Sequence, residues 1–101
     1  MSFESMTEAV RSAIGADCGL KKRVKFVFEE GAIHVDGTAV PNNVSNDATQ
    51  DADLTVRIAL ADFERIMAKQ ASGKKLMLLG KMKLRGDIRI TMHLDRILKL
   101  T

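Results

Sequence analysis

One thiol, Cys18, and two imidazoles, His34 and His93, are the groups in this 101-residue sequence best suited to nucleophilic or acid–base work. A cysteine nucleophile needs a base within hydrogen-bond reach. Cys18 falls in a loop-like stretch between a helical and a strand pattern, and nothing brings either histidine to it, so it reads as a bystander thiol. His34 and Asp36 would project from one face of a strand and could supply two metal ligands. No further pair at ligand spacing accompanies them, and no metal is expected. Gly80 and Gly86 bracket a run without the Gly-Lys-Ser/Thr ending of a phosphate loop. The sequence reads as a non-enzyme that needs no cofactor.

Charge and apolar side chains remain. Residues 1–56 carry five basic and nine acidic side chains, net −4, whereas residues 57–101 carry eleven and four, net +7. Lys74, Lys75, Lys81, Lys83 and Arg85 fall between Gly73 and Gly86 with no acid among them. Such a window suits an anionic partner, although a solvated basic face is its commonest meaning. Specific nucleic-acid recognition is not expected. All four aromatics are Phe, and Phe26, Phe28 and Phe63 fall on apolar faces, leaving no stacking platform. Met67, Met77, Met82 and Met92 cluster in the second half. Methionine fills ordinary cores, but its flexible thioether also suits an interior that admits a guest.

These groups must be positioned by a small set of elements. Phe3, Met6, Ala9, Val10, Ala13 and Ile14 recur at helical spacing between a Ser2 N-cap and a Gly15 stop. From Val24 the period becomes two, through Phe26 and Phe28, and after Glu30-Gly31 it resumes at Ile33 and Val35, a β-hairpin. Val40 and Val44 could flank a short edge strand, with Pro41 keeping it from a central place. Leu54, Val56 and Ile58 mark another strand. Asp62 is a candidate cap for a helix carrying Phe63, Ile66 and Met67. Leu76 to Leu79 is a short apolar turn, and Met82 and Leu84 alternate in a strand ending at Gly86. The run from Ile88 to Leu100 fits either period. An Asp87 N-cap and its length favour a helix, and one apolar on more than one face must be buried or must line something apolar.

The length suits a single domain over 1–101. A lone cysteine excludes an intrachain disulfide and favours a reducing compartment. No signal-peptide pattern opens the chain, and no apolar run approaches a membrane span. Lys99-Leu100-Thr101 is not a peroxisomal Ser-Lys-Leu address. A cytoplasmic location is therefore expected.

From Ala52 the order of features resembles the sterol carrier protein 2 family. Ala52-Asp53-Leu54-Thr55-Val56, Asp62-Phe63 and the ordered run Leu76-Met77-Leu78-Leu79-Gly80-Lys81-Met82-Lys83-Leu84-Arg85-Gly86-Asp87 carry the likeness, most specifically from Met77 to Asp87. Phe26-x-Phe28-x-x-Gly31-x-x-His34-Val35-Asp36 fits the family's first hairpin more loosely. Two departures stand out: the polar run Gly37 to Asp51 with Pro41, where the family often has an aromatic and further glycines, and Lys74-Lys75, where relatives often show Asp/Asn-Pro.

The resemblance implies an α+β fold, a five-stranded mixed or antiparallel sheet covered by helices with an apolar tunnel between them. It further implies non-catalytic binding and transfer of a hydrophobic ligand (fatty acid, fatty acyl-CoA or sterol). Apolarity and family placement nominate Phe63, Met67, Met77, Leu78, Met82, Leu84, Ile88 and Met92 as cavity residues, with ordinary core an equal reading for Phe63 and Leu84. Lys74, Lys75, Lys81 and Lys83 are nominated for an anionic head group or the surface of an anionic membrane. Burying a sixteen-carbon chain yields ~13 kcal/mol gross, against ~4–15 kcal/mol of association cost. Two other readings stand: an interaction or homodimerisation module on the same fold with a closed groove, and a weak nonspecific polyanion binder.

Overall fold

The computed structural model describes residues 2–16 and 19–98, the side chains of residues 97 and 98 excepted. Cys18 and Leu100, at the expected end of the last helix, lie outside the described residues. The chain runs α1 (Phe3–Ile14), β1 (Arg23–Val27), β2 (Ala32–Asp36), β3 (Asn43–Ser45), β4 (Leu54–Ile58), α2 (Leu60–Met67), α3 (Gly73–Leu78), β5 (Met82–Gly86) and α4 (Ile90–Leu98). The strands form one mixed sheet in the order β3-β2-β1-β4-β5. β1 pairs antiparallel with β2 and parallel with β4, and β5 closes the other edge antiparallel to β4.

Alternation decides which side the helices occupy. Val24 and Phe26 lie opposite Val35 and Ile33 on β2 and opposite Leu54 and Val56 on β4. Val56 in turn faces Leu84, and Ile58 faces Met82. With a side-chain period of two, all of these project to one face. There they meet Met6, Val10 and Ile14 of α1, Phe63 and Ile66 of α2, Leu76 of α3 and Ile90 and Leu94 of α4 in one apolar cluster. The opposite face carries Lys25, His34, Asp36, Thr55, Arg57, Lys83 and Arg85 by the same registers. The hairpin turns through Glu29-Glu30, its ends joined by the Phe28 N–H donating to the Gly31 carbonyl at 2.8 Å.

Local chemistry explains the helix ends. Ser2 and Ser5 cap α1 reciprocally, and Gly15 ends it at φ 65°. Two expectations are corrected. Asp62 does not cap α2: the N-cap is Ala59, without a side-chain bond, and the helix starts at Leu60. Burial of Leu60 sets the start earlier than the capping pattern implies, leaving Asp62 in the first turn, 3.7 Å from Arg65. Nor does Asp87 cap α4. Its carboxylate accepts from the Arg89 backbone N–H and grips the Arg89 guanidinium at 3.0 and 3.1 Å. The chain then passes through a turn before the helix begins at Ile90, leaving Ile88 outside it and exposed. Among its described side chains α4 buries Ile90 and Leu94 while Met92 faces outward, so its second apolar face is not buried.

Candidate functional site

The sheet and its helices do not close completely on one another. Between β1, β4 and β5 on one side and α2, α3 and α4 on the other lies a cavity of about 220 Å³. Phe26 and Val56 form its floor from the sheet, and Met82 and Leu84 its wall on β5. Phe63 and Ile66 close it from α2, Gly73, Lys74 and Met77 from α3, and Thr91, Leu94 and Asp95 from α4. The floor is apolar: the Phe26 and Phe63 rings pack at 5.1 Å, and Phe28 joins Phe63 at 5.6 Å. Lys74, Thr91 and Asp95 give the lip a polar character.

Four nominated cavity residues, Phe63, Met77, Met82 and Leu84, line this space together. Met67 is half-buried against the core without lining it. Leu78, Ile88 and Met92 lie on the surface. Their spacing marks apolar character but not direction, and α3 ends at Leu78 while α4 begins two residues after Ile88. Phe26, Val56, Ile66 and Leu94 complete the large apolar side chains of the lining without having been nominated. The alternation of Leu54, Val56 and Ile58 held the signal for Val56; its placement opposite Leu84 required the register.

The four lysines are not gathered at one place. Lys74 stands at the cavity lip. Lys75 and Lys81 border a neighbouring groove with Arg65 and Lys69. Lys81 and Lys83 border another with Arg57, beyond the ends of β1 and β4. Lys83 belongs to the open face of the sheet, opposite Arg57.

His34 and Asp36 are already engaged. His34 is wholly buried, and its Nε2 lies 2.9 Å from the Asp51 carbonyl. Since a carbonyl only accepts, Nε2 carries the proton. Asp36 accepts from the Thr38 hydroxyl and N–H and lies 3.5 Å from Arg23. The Thr38 hydroxyl foremost holds the Asp36 carboxyl below its ordinary value; desolvation opposes it, and the Thr38 N–H and the Arg23 charge add smaller lowering effects. Among the described residues, no three of His, Cys, Asp and Glu gather to hold a metal ion, and no helix is long and apolar enough to cross a membrane.

Residues 8–99 match the family model described as the SCP-2 sterol transfer family. No curated protein matches the sequence. Among solved structures, the chain is similar to the sterol carrier protein domain 2 of Helicoverpa armigera, at TM-score 0.79 and 15% identity, covering 94% of this chain and 84% of that one. It is also similar to palmitated SCP2L2 from Aedes aegypti, at TM-score 0.70 and 22% identity, covering 97% and 95%. A third likeness, at TM-score 0.68 and 19% identity, is to the sec-alkylsulfatase Pisa1 from Pseudomonas sp., where 99% of this chain covers 16% of that one. At these identities the structural likenesses establish the fold.

Proposed function

The chain belongs to the SCP-2 sterol transfer family, whose fold implies lipid or sterol binding and transfer, and from that premise we propose that residues 1–101 form a single non-catalytic domain that holds the acyl chain of a fatty acid or fatty acyl-CoA in the cavity between β5 and α2–α4. The observation that carries this reading is the apolar space walled by Phe26, Val56, Phe63, Met77, Met82 and Leu84, with Lys74, Thr91 and Asp95 at its lip. Hydrocarbon walls with a few polar groups at the opening suit a ligand with an oily body and a polar end. The Aedes aegypti relative was solved as a palmitated protein, which supports an acyl chain as the guest. Lys74 would meet the carboxylate or phosphate.

At about 220 Å³ the cavity is smaller than the ~300–1,000 Å³ of ordinary ligand pockets. Uptake of a full chain therefore widens it, through α3 and α4. Methionine walls suit that adjustment, because three rotatable bonds let Met77 and Met82 repack around a guest. The small volume is also what favours the alternative of an interaction module with a closed groove. Titration with a fluorescent fatty acid, beside native mass spectrometry of freshly purified protein, separates the two. The wild type should take up the probe, and Met82→Trp, which fills the cavity from a half-buried wall position, should bind at least ~10-fold more weakly. No uptake by the wild type would overturn the carrier reading.

A further inference from the structure

The two edges of the sheet are finished differently. β3 is three residues long, and the Arg11 guanidinium of α1 donates to its Val44 carbonyl at 3.0 Å. β5 is five residues long, and among the described residues no other backbone bonds to its outer side. The register tells which groups face outward. The Asp87 N–H donates to the Asp53 carbonyl at 2.8 Å, and Gly86 lies opposite Leu54. Antiparallel strands alternate hydrogen-bonded with non-hydrogen-bonded pairs, so Arg85 and Lys83 turn their N–H and C=O groups toward Thr55 and Arg57. Met82, Leu84 and Gly86 turn theirs away from the sheet. A row of such groups is a template for a further strand.

We propose that the β5 edge receives, as a sixth and antiparallel strand, an extended segment of a partner protein in which acidic and apolar side chains alternate. Both faces of β5 select this occupant. On the open face of the sheet Lys83 and Arg85 are exposed, and Arg57 lies opposite Lys83. None of the three makes a side-chain hydrogen bond or ion pair among the described residues. An added strand meets Lys83 and Arg85 in non-hydrogen-bonded pairs, where side chains come closest and opposite charges stabilise. On the helix side Met82 and Leu84 are half-buried, and apolar residues of the same strand cover what remains of their surface. Charged side chains keep a free edge from pairing indiscriminately; these cations turn away a basic strand and hold an acidic one. A second copy fits less well. Two β5 strands paired across a two-fold axis set these cations against their own counterparts, which repel, and β3 offers Asn43, Val44 and Ser45 without an acid. A phosphodiester accepts hydrogen bonds without donating any, so a nucleic acid on this edge leaves the outward carbonyls of Met82 and Leu84 unpaired. The proposal stands on the edge alone and does not rest on the carrier reading.

The test is titration of the isotope-labelled whole chain with the blocked peptide Val-Glu-Val-Glu-Val, followed by NMR and amide hydrogen exchange. At saturation the Met82, Leu84 and Gly86 amides should exchange at least ~10-fold more slowly, while those of Lys83 and Arg85, already bonded to β4, change little. N-methylation of the central valine, whose N–H faces β5, should abolish binding; N-methylation of the first glutamate, whose N–H faces away, should preserve it. The same composition without alternation, Val-Val-Glu-Glu-Val, should bind at least ~5-fold more weakly. Lys83→Glu combined with Arg85→Glu should lose at least ~5-fold in affinity for the acidic peptide and gain affinity for Val-Lys-Val-Lys-Val. Should that double variant fail to fold, the two N-methylated peptides decide the matter with the wild type alone. Unprotected Met82, Leu84 and Gly86 amides, equal binding of the two N-methylated peptides, or equal binding of the peptide without alternation would overturn the proposal. So would a dimer in peptide-free buffer with those three amides protected, which would assign the edge to a second copy. Tighter binding of a single-stranded oligonucleotide than of the peptide would overturn it too, assigning the cations to phosphate.

Discussion

Met6 and Met77 are the same residue on two helices that cover the same sheet face, yet Met6 is wholly buried and Met77 is 45% exposed. The difference follows from how each helix is secured. α1 has twelve residues and a reciprocal serine cap. Its Arg11 guanidinium donates to the Val44 carbonyl at 3.0 Å, and Thr7 accepts from Asn46 at 3.1 Å. α3 has six residues and no side-chain cap bond, and α4 is entered through a turn outside the helix. Short helices draw most of their stability from packing, not from their own hydrogen bonds. Where caps and cross-links hold a helix in place, its apolar side seals against the sheet. Where they are missing, the helices stand off and leave the space that Met77 borders.

Four measurements would break or sharpen this contrast. The largest effect is expected from Met6→Ala, which should lower the unfolding free energy by about 2–5 kcal/mol in urea, whereas Met77→Ala should cost under ~1 kcal/mol. Equal losses would mean that the α3 side is as tightly packed as the α1 side. Next comes Gly86→Ala. Gly86 has φ 106°, and an added Cβ would lie 2.3 Å from the Asp53 carbonyl oxygen. A loss above ~1 kcal/mol is expected, because β5 must separate from β4 to relieve the clash; circular dichroism during thermal unfolding would report it.

The caps provide the third comparison. Ser2→Ala should cost about 1 kcal/mol, while Ser72→Ala, at the N-cap of α3 without a cap bond, should stay within ~0.5 kcal/mol. The smallest effect concerns acid. The Asp36 carboxyl is held below its ordinary value, first by the Thr38 hydroxyl. Its contribution to stability is therefore present above the unfolded-state pKa and is lost as pH falls through the lowered folded one. Asp36→Asn should flatten the acid limb of the urea midpoint plotted against pH. An unchanged limb would show that these hydrogen bonds do not persist in solution.

The α1 cap, the hairpin turn signalled by Glu30-Gly31, β1, β2, β4 and β5 were legible because each depends on neighbours in the chain: a serine before a helical run, a glycine at a turn, a strict alternation. The starts of α2 and α4 were misread for the same reason run backwards. Asp62 and Asp87 have the local pattern of caps, but Leu60 is drawn into the core and Asp87 is occupied by Arg89. A cap is worth about 1 kcal/mol, and burying a leucine side chain about 1.5–3 kcal/mol, so the tertiary contact decides the start of α2. Of the nominated cavity residues, Phe63, Met77, Met82 and Leu84 meet around the space, whereas Leu78, Ile88 and Met92, equally apolar in sequence, face outward.

By itself the sequence determined the strand and helix periods, the placement of basic residues in the second half, and the ordered run from Met77 to Asp87 that marks the family. These are consequences of backbone geometry and side-chain chemistry acting over a few residues, and they need no partner from elsewhere in the chain. Only the tertiary structure decided that Val56 lies opposite Leu84, that His34 is buried with its Nε2 on the Asp51 carbonyl, and that one methionine seals a core while another borders an opening. Those outcomes depend on the gap between elements distant in sequence. Hydrophobicity drives an apolar side chain out of water but does not specify which surface receives it.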